Sequence, residues 1–184
     1  KLTADKLFVA ANNYAQDGAT AMSVVRYGNV MGSRGSVVPF FRARVRDGEP
    51  LPITNPEMTR FWITLNEAVK FVVDSFDDMT GGELYVPRIP SMRLLDLAEA
   101  IAPNHPIVEI GIRPGEKMHE EMIGADDSHR TRRMSDRYVV MPTISEWAAP
   151  ATRGEPVNIG FSYRSDTNDQ WLSAAQLRET LNLA

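Results

Sequence analysis

Ala21-Met-Ser-Val-Val-Arg-Tyr-Gly-Asn29, continued by Val30-Met-Gly-Ser-Arg-Gly-Ser36, is the stretch that decides the fold. Met22, Val24, Val25 and Tyr27 favour strands, and the run is apolar on both faces. It therefore predicts a buried strand of a parallel sheet over Ala21 to Tyr27. The strand ends in Gly28-Asn29 and opens into a glycine- and serine-rich loop, Gly32 to Ser36. In open α/β sheets, ligands bind beyond the carboxyl ends of the strands. This loop is the best-placed site in the chain, the alternative being an ordinary Gly/Ser loop.

Upstream, Ala4, Leu7, Phe8, Ala11, Tyr14 and Ala15 recur at helical steps and predict a core or interface helix over residues 1–17, stopped by Gly18. Downstream, Ser36 is placed to cap a helix over Val37 to Arg46, with Pro39 tolerated in its first turn. Arg42, Arg44 and Arg46 do not share a helical face and read as solvated surface. A short strand is expected at Leu51 to Thr54. Thr64 to Glu67 has the pattern of a capping box for a helix to about Phe76, with Ala68, Val69, Val72, Val73 and Phe76 at helical spacing.

A strand is expected at Glu83 to Val86, a helix capped by Ser91 over Met92 to Ala102, and a strand at Ile107 to Ile110. A helix is expected at Glu116 to Ile123, then an exposed or ligand-covering loop at Ala125 to Arg137 and a strand at Tyr138 to Met141. Residues 143–156 read as irregular. Ser173 to Gln176 carries a second capping-box pattern, for a final helix to about Asn182.

Arg113-Pro-Gly-Glu-Lys-Met-His-Glu-Glu121 follows the Ile107 strand. An arginine ahead of Pro-Gly sits on a rigid turn, and a guanidinium held there suits a planar or bidentate anion such as a phosphate. Arg60 reads equally as a surface ion pair or as a second anion ligand. His119 reads as structural.

Composition narrows the classes. The 184 residues carry a net charge of −4, which argues against wholesale nucleic-acid binding. No run is long and apolar enough to span a membrane, and no signal-peptide pattern is present. The absence of cysteine excludes disulfides and thiolate metal sites and fits a cytoplasmic location. His105, His119 and His129 have no metal-type spacing. The chain opens at Lys1 inside an amphipathic pattern, so a longer protein is expected, with its N-terminal part preceding this sequence.

The runs KLTADKLFVAANNY, VVRYGNVMGSRGSVVPFF, PITNPEMTRFWIT, GGELYVPRIPSMRLLDLAEAIAP, IGIRPGEKMHEEMI and DSHRT together resemble the C-terminal half of the UDP-N-acetylglucosamine 4,6-dehydratases. The nearest branch is the inverting enzymes of pseudaminic acid and capsular polysaccharide synthesis, which are extended short-chain dehydrogenases/reductases. The resemblance covers about residues 1–141. It implies an α/β fold holding the last strands of a Rossmann-type parallel sheet and a small α/β substrate domain. Residues 1–35 would be a remnant of the dinucleotide-binding domain, 36–141 the nucleotide-sugar domain, and 142–184 a C-terminal extension and helix.

The resemblance also implies a chemistry for the whole protein. A tightly held NADP takes hydride from C4 of the sugar, with tyrosine as base and a neighbouring lysine lowering its pKa. The resulting ketone acidifies the C5 proton, water leaves from C6, and hydride returns to C6. Lys1 falls at the lysine of the Tyr-x-x-x-Lys motif, so it is the implied catalytic and cofactor-binding residue, and Tyr27 and Gly28 would lie near the nicotinamide. Asn29 would contact the UDP-sugar, and Val37, Val38, Pro39, Phe40 and Phe41 would hold the uridine end. Arg60 and Arg113 would clamp the diphosphate, Glu116 would accept from the nucleoside, and Thr54 is a further candidate. The tyrosine, the dinucleotide fingerprint and the Asp-Lys pair of elimination do not occur in these residues. This chain alone is therefore expected to be inactive and not to retain NADP. Self-association through the 1–17 helix is expected. The alternatives are a nucleotide-sugar epimerase of the same superfamily and a non-catalytic UDP-sugar-binding module.

Overall fold

A computed structural model describes residues 2–15, 20–144 and 154–182. The elements run α1 (Leu2–Ala10), β1 (Val24–Val25), β2 (Asn29–Val30), α2 (Val37–Arg46), β3 (Leu51–Ile53), β4 (Thr59–Ile63), α3 (Leu65–Asp78), β5 (Leu84–Pro87) and β6 (Ser91–Arg93). They continue with α4 (Leu94–Ile101), β7 (Ile107–Glu109), β8 (Glu121–Ile123), β9 (Thr131–Arg133), β10 (Arg137–Val140), β11 (Glu155–Pro156), β12 (Tyr163–Arg164) and α5 (Ala174–Thr180). The chain forms two compact units that interleave in sequence: residues 1–27, 66–88 and 122–163 make one, and 28–65, 89–121 and 164–184 the other. Among the described residues, no helix is long and apolar enough to cross a membrane.

The first unit is a mixed sheet in the order β1-β5-β10-β9-β11. β1 is parallel to β5, with Val24 opposite Leu84, while β10 is antiparallel to both β5 and β9. The predicted parallel strand is thus present, but only Val24–Val25 pairs, and both are half-buried rather than buried. The cause is local. Among the described residues β1 is an edge strand with a neighbour on one side, and the preceding Met22 gives its amide to Asn12 Oδ1 at 2.9 Å, while its carbonyl is shared between Asn12 Nδ2 at 2.8 Å and Gly82 N at 2.7 Å.

The same Asn12 also donates to Val9 O at 2.8 Å, and α1 gives way there to a 3-10 turn, Ala11–Tyr14, short of the expected helix end. Side chains that bond nearby backbone compete with helix in this way. Leu7 and Phe8 stay 67% and 61% exposed. On α3 the core side is Ala68, Phe71 and Ser75; Val69, Val72, Val73 and Phe76 face outward.

The expected loop at 125–137 is instead a 3-10 segment, Ala125–Arg130, followed by β9, with Ser128 and Thr131 buried. Its polar residues serve the backbone: Ser128 Oγ donates to Ala125 O at 2.6 Å and Thr131 Oγ1 to Asp127 O at 2.8 Å.

The second unit holds a sheet in the order β2-β4-β6 and a separate parallel pair, β3 with β7. Asn29 pairs in register with Trp62, and Arg60 with Met92. Phe41, Leu51, Ile53, Met58, Leu97 and Leu177 are among the residues of one apolar core under α2, α4 and α5. The helix Val37–Arg46 lies where the sequence places it, although Ser36 Oγ is buried without a partner among the described residues and makes no cap bond. The helix expected from Met92 begins at Leu94. Ser91 does not cap it, because its backbone bonds Gln170 O and Leu172 N, both at 2.9 Å, and pairs with Phe61. At α5 the predicted capping box is complete: Ser173 Oγ accepts from Gln176 N, and Gln176 Oε1 accepts from Ser173 N at 2.9 Å.

Candidate functional site

The site grows from β4 and the turn that follows β7, both in the second unit. Arg113, Pro114, Gly115 and Glu116 make a tight turn: Glu116 N donates to Arg113 O at 3.0 Å, and Gly115 takes φ +80°, a value that favours glycine. Glu116 Oε2 accepts from Arg113 N at 3.3 Å and closes the turn from the other side. The Arg113 side chain is exposed, and its guanidinium has no hydrogen bond or ion pair among the described residues. An exposed guanidinium on a fixed turn retains all its donors for an anion.

Arg60 is placed differently. Its Nη1 donates to Thr59 O at 2.7 Å and to Met118 O at 3.1 Å, and its side chain is only 17% exposed. Glu116 Oε1 lies 3.8 Å from Nη2 and Glu120 Oε1 lies 3.9 Å from Nε. The guanidinium thus sits between carboxylates and backbone carbonyls, which fix its plane. Thr54, buried, donates to Glu116 Oε1 at 3.4 Å.

The segment 116–123 is not the helix that its composition predicts. Thr59 N donates to Met118 O at 3.1 Å, Ser165 N donates to Glu120 O at 2.9 Å, and Ser165 Oγ accepts from Glu120 N at 2.8 Å. These long-range bonds take the groups that a helix would bond internally, and the chain passes directly into β8. His119 joins a hydrogen-bonded chain: its Nδ1 lies 2.8 Å from Thr59 Oγ1, which in turn lies 2.7 Å from Ser165 Oγ.

Sequence reasoning gave no role to Glu120. It accepts from Asn29 Nδ2 at 3.0 and 3.1 Å and from Phe61 N at 2.9 Å. Its spacing of four from Glu116 carries no signal, because the segment is not a helix. Ser165 and Thr59 had no signal either; 106 residues separate them in the chain.

The remaining predicted residues divide. Within α2, Val38 and Phe41 are 3% and 1% exposed and belong to the core, while Val37 is half-buried and Pro39 and Phe40 face outward. Beside them is a hollow of about 390 Å³ lined by Gly32, Val38, Pro39, Arg42, Ala43 and Arg46. Gly28 is required by packing, because an added Cβ would stand 2.7 Å from Phe61 Cβ. Tyr27 is 43% exposed. Lys1 lies outside the described residues. Among the described residues, no cluster of histidine and acidic side chains is placed to hold a metal ion.

The family model described as "Polysaccharide biosynthesis protein" matches residues 1–142. The chain belongs to that family. It is 51% identical, over 99% of its length, to a UDP-N-acetylglucosamine 4,6-dehydratase (inverting) of Campylobacter jejuni, of which it spans 57%. A UDP-glucose 4-epimerase of Rickettsia canadensis is 34% identical over 75% of this chain and 42% of that protein. Among solved structures, Pen from Bacillus thuringiensis superposes with a TM-score of 0.85 at 31% identity, covering 99% of this chain and 55% of that one. This member of the polysaccharide biosynthesis family thus spans between about two fifths and three fifths of the length of these relatives. The α/β architecture expected from its sequence is shared with Pen.

Proposed function

We propose that this chain is the substrate-holding part of a nucleotide-sugar 4,6-dehydratase acting on UDP-N-acetylglucosamine, in surface polysaccharide or glycan synthesis. The carrying observation is the meeting of Asn29, Thr54, Arg60, Arg113, Glu116 and Glu120 at β4 and the Arg113 turn, in a chain half-identical to such an enzyme. Arg113 is the exposed cation for the diphosphate. Arg60, flanked by Glu116 and Glu120, offsets part of their charge and braces the floor, and Glu116 holds the turn and offers a carboxylate oxygen to a nucleoside hydroxyl. Pro39 and Phe40 of α2 supply an apolar surface for the uracil ring.

In the whole protein NADP would supply hydride transfer to and from the sugar. The described residues do not by themselves form a cradle for it. Gly28 packs against Phe61, and the sequence contains no Gly-x-Gly-x-x-Gly run. What this chain's own residues do is bind and orient. The epimerase reading stands second, since the identity to that class is lower and extends over less of the chain. Self-association of copies through α1 and the turn after it belongs to the same proposal, supported by the exposed Leu7, Phe8 and Tyr14. A monomeric elution at high concentration would remove that part.

The test is calorimetric titration of UDP-N-acetylglucosamine into this chain. Saturable binding that Arg113→Ala abolishes is the expected result. An absence of heat at millimolar ligand, from protein that is folded by circular dichroism, overturns the reading for this chain.

A further inference from the structure

We infer that Glu120 is a positioning residue: it fixes the Asn29 side-chain amide so that only its carbonyl oxygen faces a ligand, making Asn29 a reader of sugar donors rather than of phosphate. This rests on the nucleotide-sugar reading above. Three acceptor oxygens converge on one nitrogen. Asn29 Nδ2 lies 3.1 Å from Phe61 O and 3.0 and 3.1 Å from the two Glu120 oxygens. A backbone carbonyl and a carboxylate only accept, so the group facing them is the NH₂. Turning the amide over would set Oδ1 against all three. The orientation is therefore dictated by the network.

Both Nδ2 protons are consumed in this arrangement. Oδ1 has no partner among the described residues, and Asn29 is exposed. What remains to a ligand is an acceptor. A phosphate oxygen is also an acceptor and gains nothing there, whereas a sugar hydroxyl or the N–H of an acetamido group donates to it. Glu120 is itself held: Phe61 N donates to it at 2.9 Å, and its own amide is bound to Ser165 Oγ at 2.8 Å. Asn29 and Phe61 lie on neighbouring parallel strands, so the carboxylate locks the Asn29 side chain to the β4 backbone. Preorganisation of this kind turns one hydrogen bond into discrimination, because a ligand lacking the donor leaves the acceptor unpaired.

The experiment compares UDP-N-acetylglucosamine with UDP, which offers the same diphosphate and no sugar, on this chain and on Glu120→Gln. A glutamine keeps the size of the side chain but brings a donor to the network, and Asn29 is released to turn. The expected result is a fall of roughly tenfold in the preference for the sugar-bearing ligand, the size of one hydrogen bond, with the loss confined to that ligand. An unchanged preference, or an equal weakening of both ligands, overturns the inference, since equal weakening marks a merely structural carboxylate.

A second measurement needs no ligand. The side-chain ¹⁵N–¹H₂ resonances of Asn29, assigned by their disappearance in Asn29→Ala, should shift in Glu120→Gln. Should the parent chain bind neither ligand, the nucleotide-sugar reading falls. The amide resonances then decide the positioning alone: a shift upholds it and an unmoved pair overturns it.

Discussion

Arg60 and Glu116 stand with Nη2 and Oε1 3.8 Å apart, and that pairing separates two arginines that look alike in the sequence. Arg60 is built into the site, whereas Arg113 keeps its donors outward. Arg113→Ala should leave stability within about 0.5 kcal/mol, as surface substitutions do, while lowering UDP affinity at least about tenfold by loss of a charge-assisted contact. Arg60→Ala should cost about 2–3 kcal/mol in urea unfolding, because it strands carboxylates that are partly buried. Equal effects of the two changes on stability would contradict this division.

Glu83 makes a pH prediction. It is 3% exposed, and burial alone would push its pKa up. Hydrogen bonds from Ser23 Oγ at 2.6 Å, from the Thr80 hydroxyl and amide, and from Gly81 N at 2.8 Å outweigh that and hold it below its ordinary value. A carboxylate with a depressed folded pKa stabilises above its unfolded pKa and loses that contribution as pH falls through the folded one. Glu83→Gln should therefore cost about 1–3 kcal/mol at neutral pH. The gap from the parent should close as pH is lowered below the ordinary value of 4.5. Chemical denaturation across that range checks it; a gap independent of pH would refute the assignment.

Arg137 is the buried cation of the first unit. Its side chain is 7% exposed, with Asp136 at 2.9 Å, Asp78 at 3.6 Å and Asp74 at 3.8 Å, and its guanidinium lies 5.2 Å over the Phe71 ring. Hydrogen bonding to Arg137 holds the Asp136 carboxyl below its usual range. Arg137→Met keeps the stem and removes the charge, and is expected to destabilise by about 2–4 kcal/mol. Arg137→Lys should recover only part of this, since an ammonium cannot serve three carboxylates and a ring face together.

Gly28 packs on Phe61 so closely that a methyl group would meet its Cβ at 2.7 Å and its backbone at 2.9 Å. Backbone atoms cannot swing aside, so Gly28→Ala should push β2 from β4 at a cost of about 1–3 kcal/mol. Because Asn29 is the next residue, UDP-N-acetylglucosamine should bind less tightly as well. A variant of full stability would show that the strands have room to part.

Much of the local structure was legible. Val37–Arg46 and Leu65–Asp78 form helices close to where apolar spacing and capping patterns place them, and the Ser173 capping box is complete. The Arg113 turn follows from Pro114 and Gly115 alone. These depend on backbone preferences and on bonds within a few residues, which a sequence states directly.

What the sequence leaves open is decided by bonds that cross the chain. Glu116 to Glu121 has helical composition, yet Thr59 and Ser165 take its backbone groups. Ser91 has the makings of a cap but is drawn into β6 by Phe61 and Gln170. Glu120 was one acid among several until Asn29, 91 residues away, came within 3.0 Å of it. By itself, then, the sequence determined the helices at Val37–Arg46 and Leu65–Asp78, the Arg113 turn and the Ser173 capping box, and which family the chain resembles. Only the tertiary structure decided which arginine is free and which way Asn29 presents its amide. Both depend on carboxylates delivered from distant segments, and no local preference encodes a partner that must first be brought there by folding.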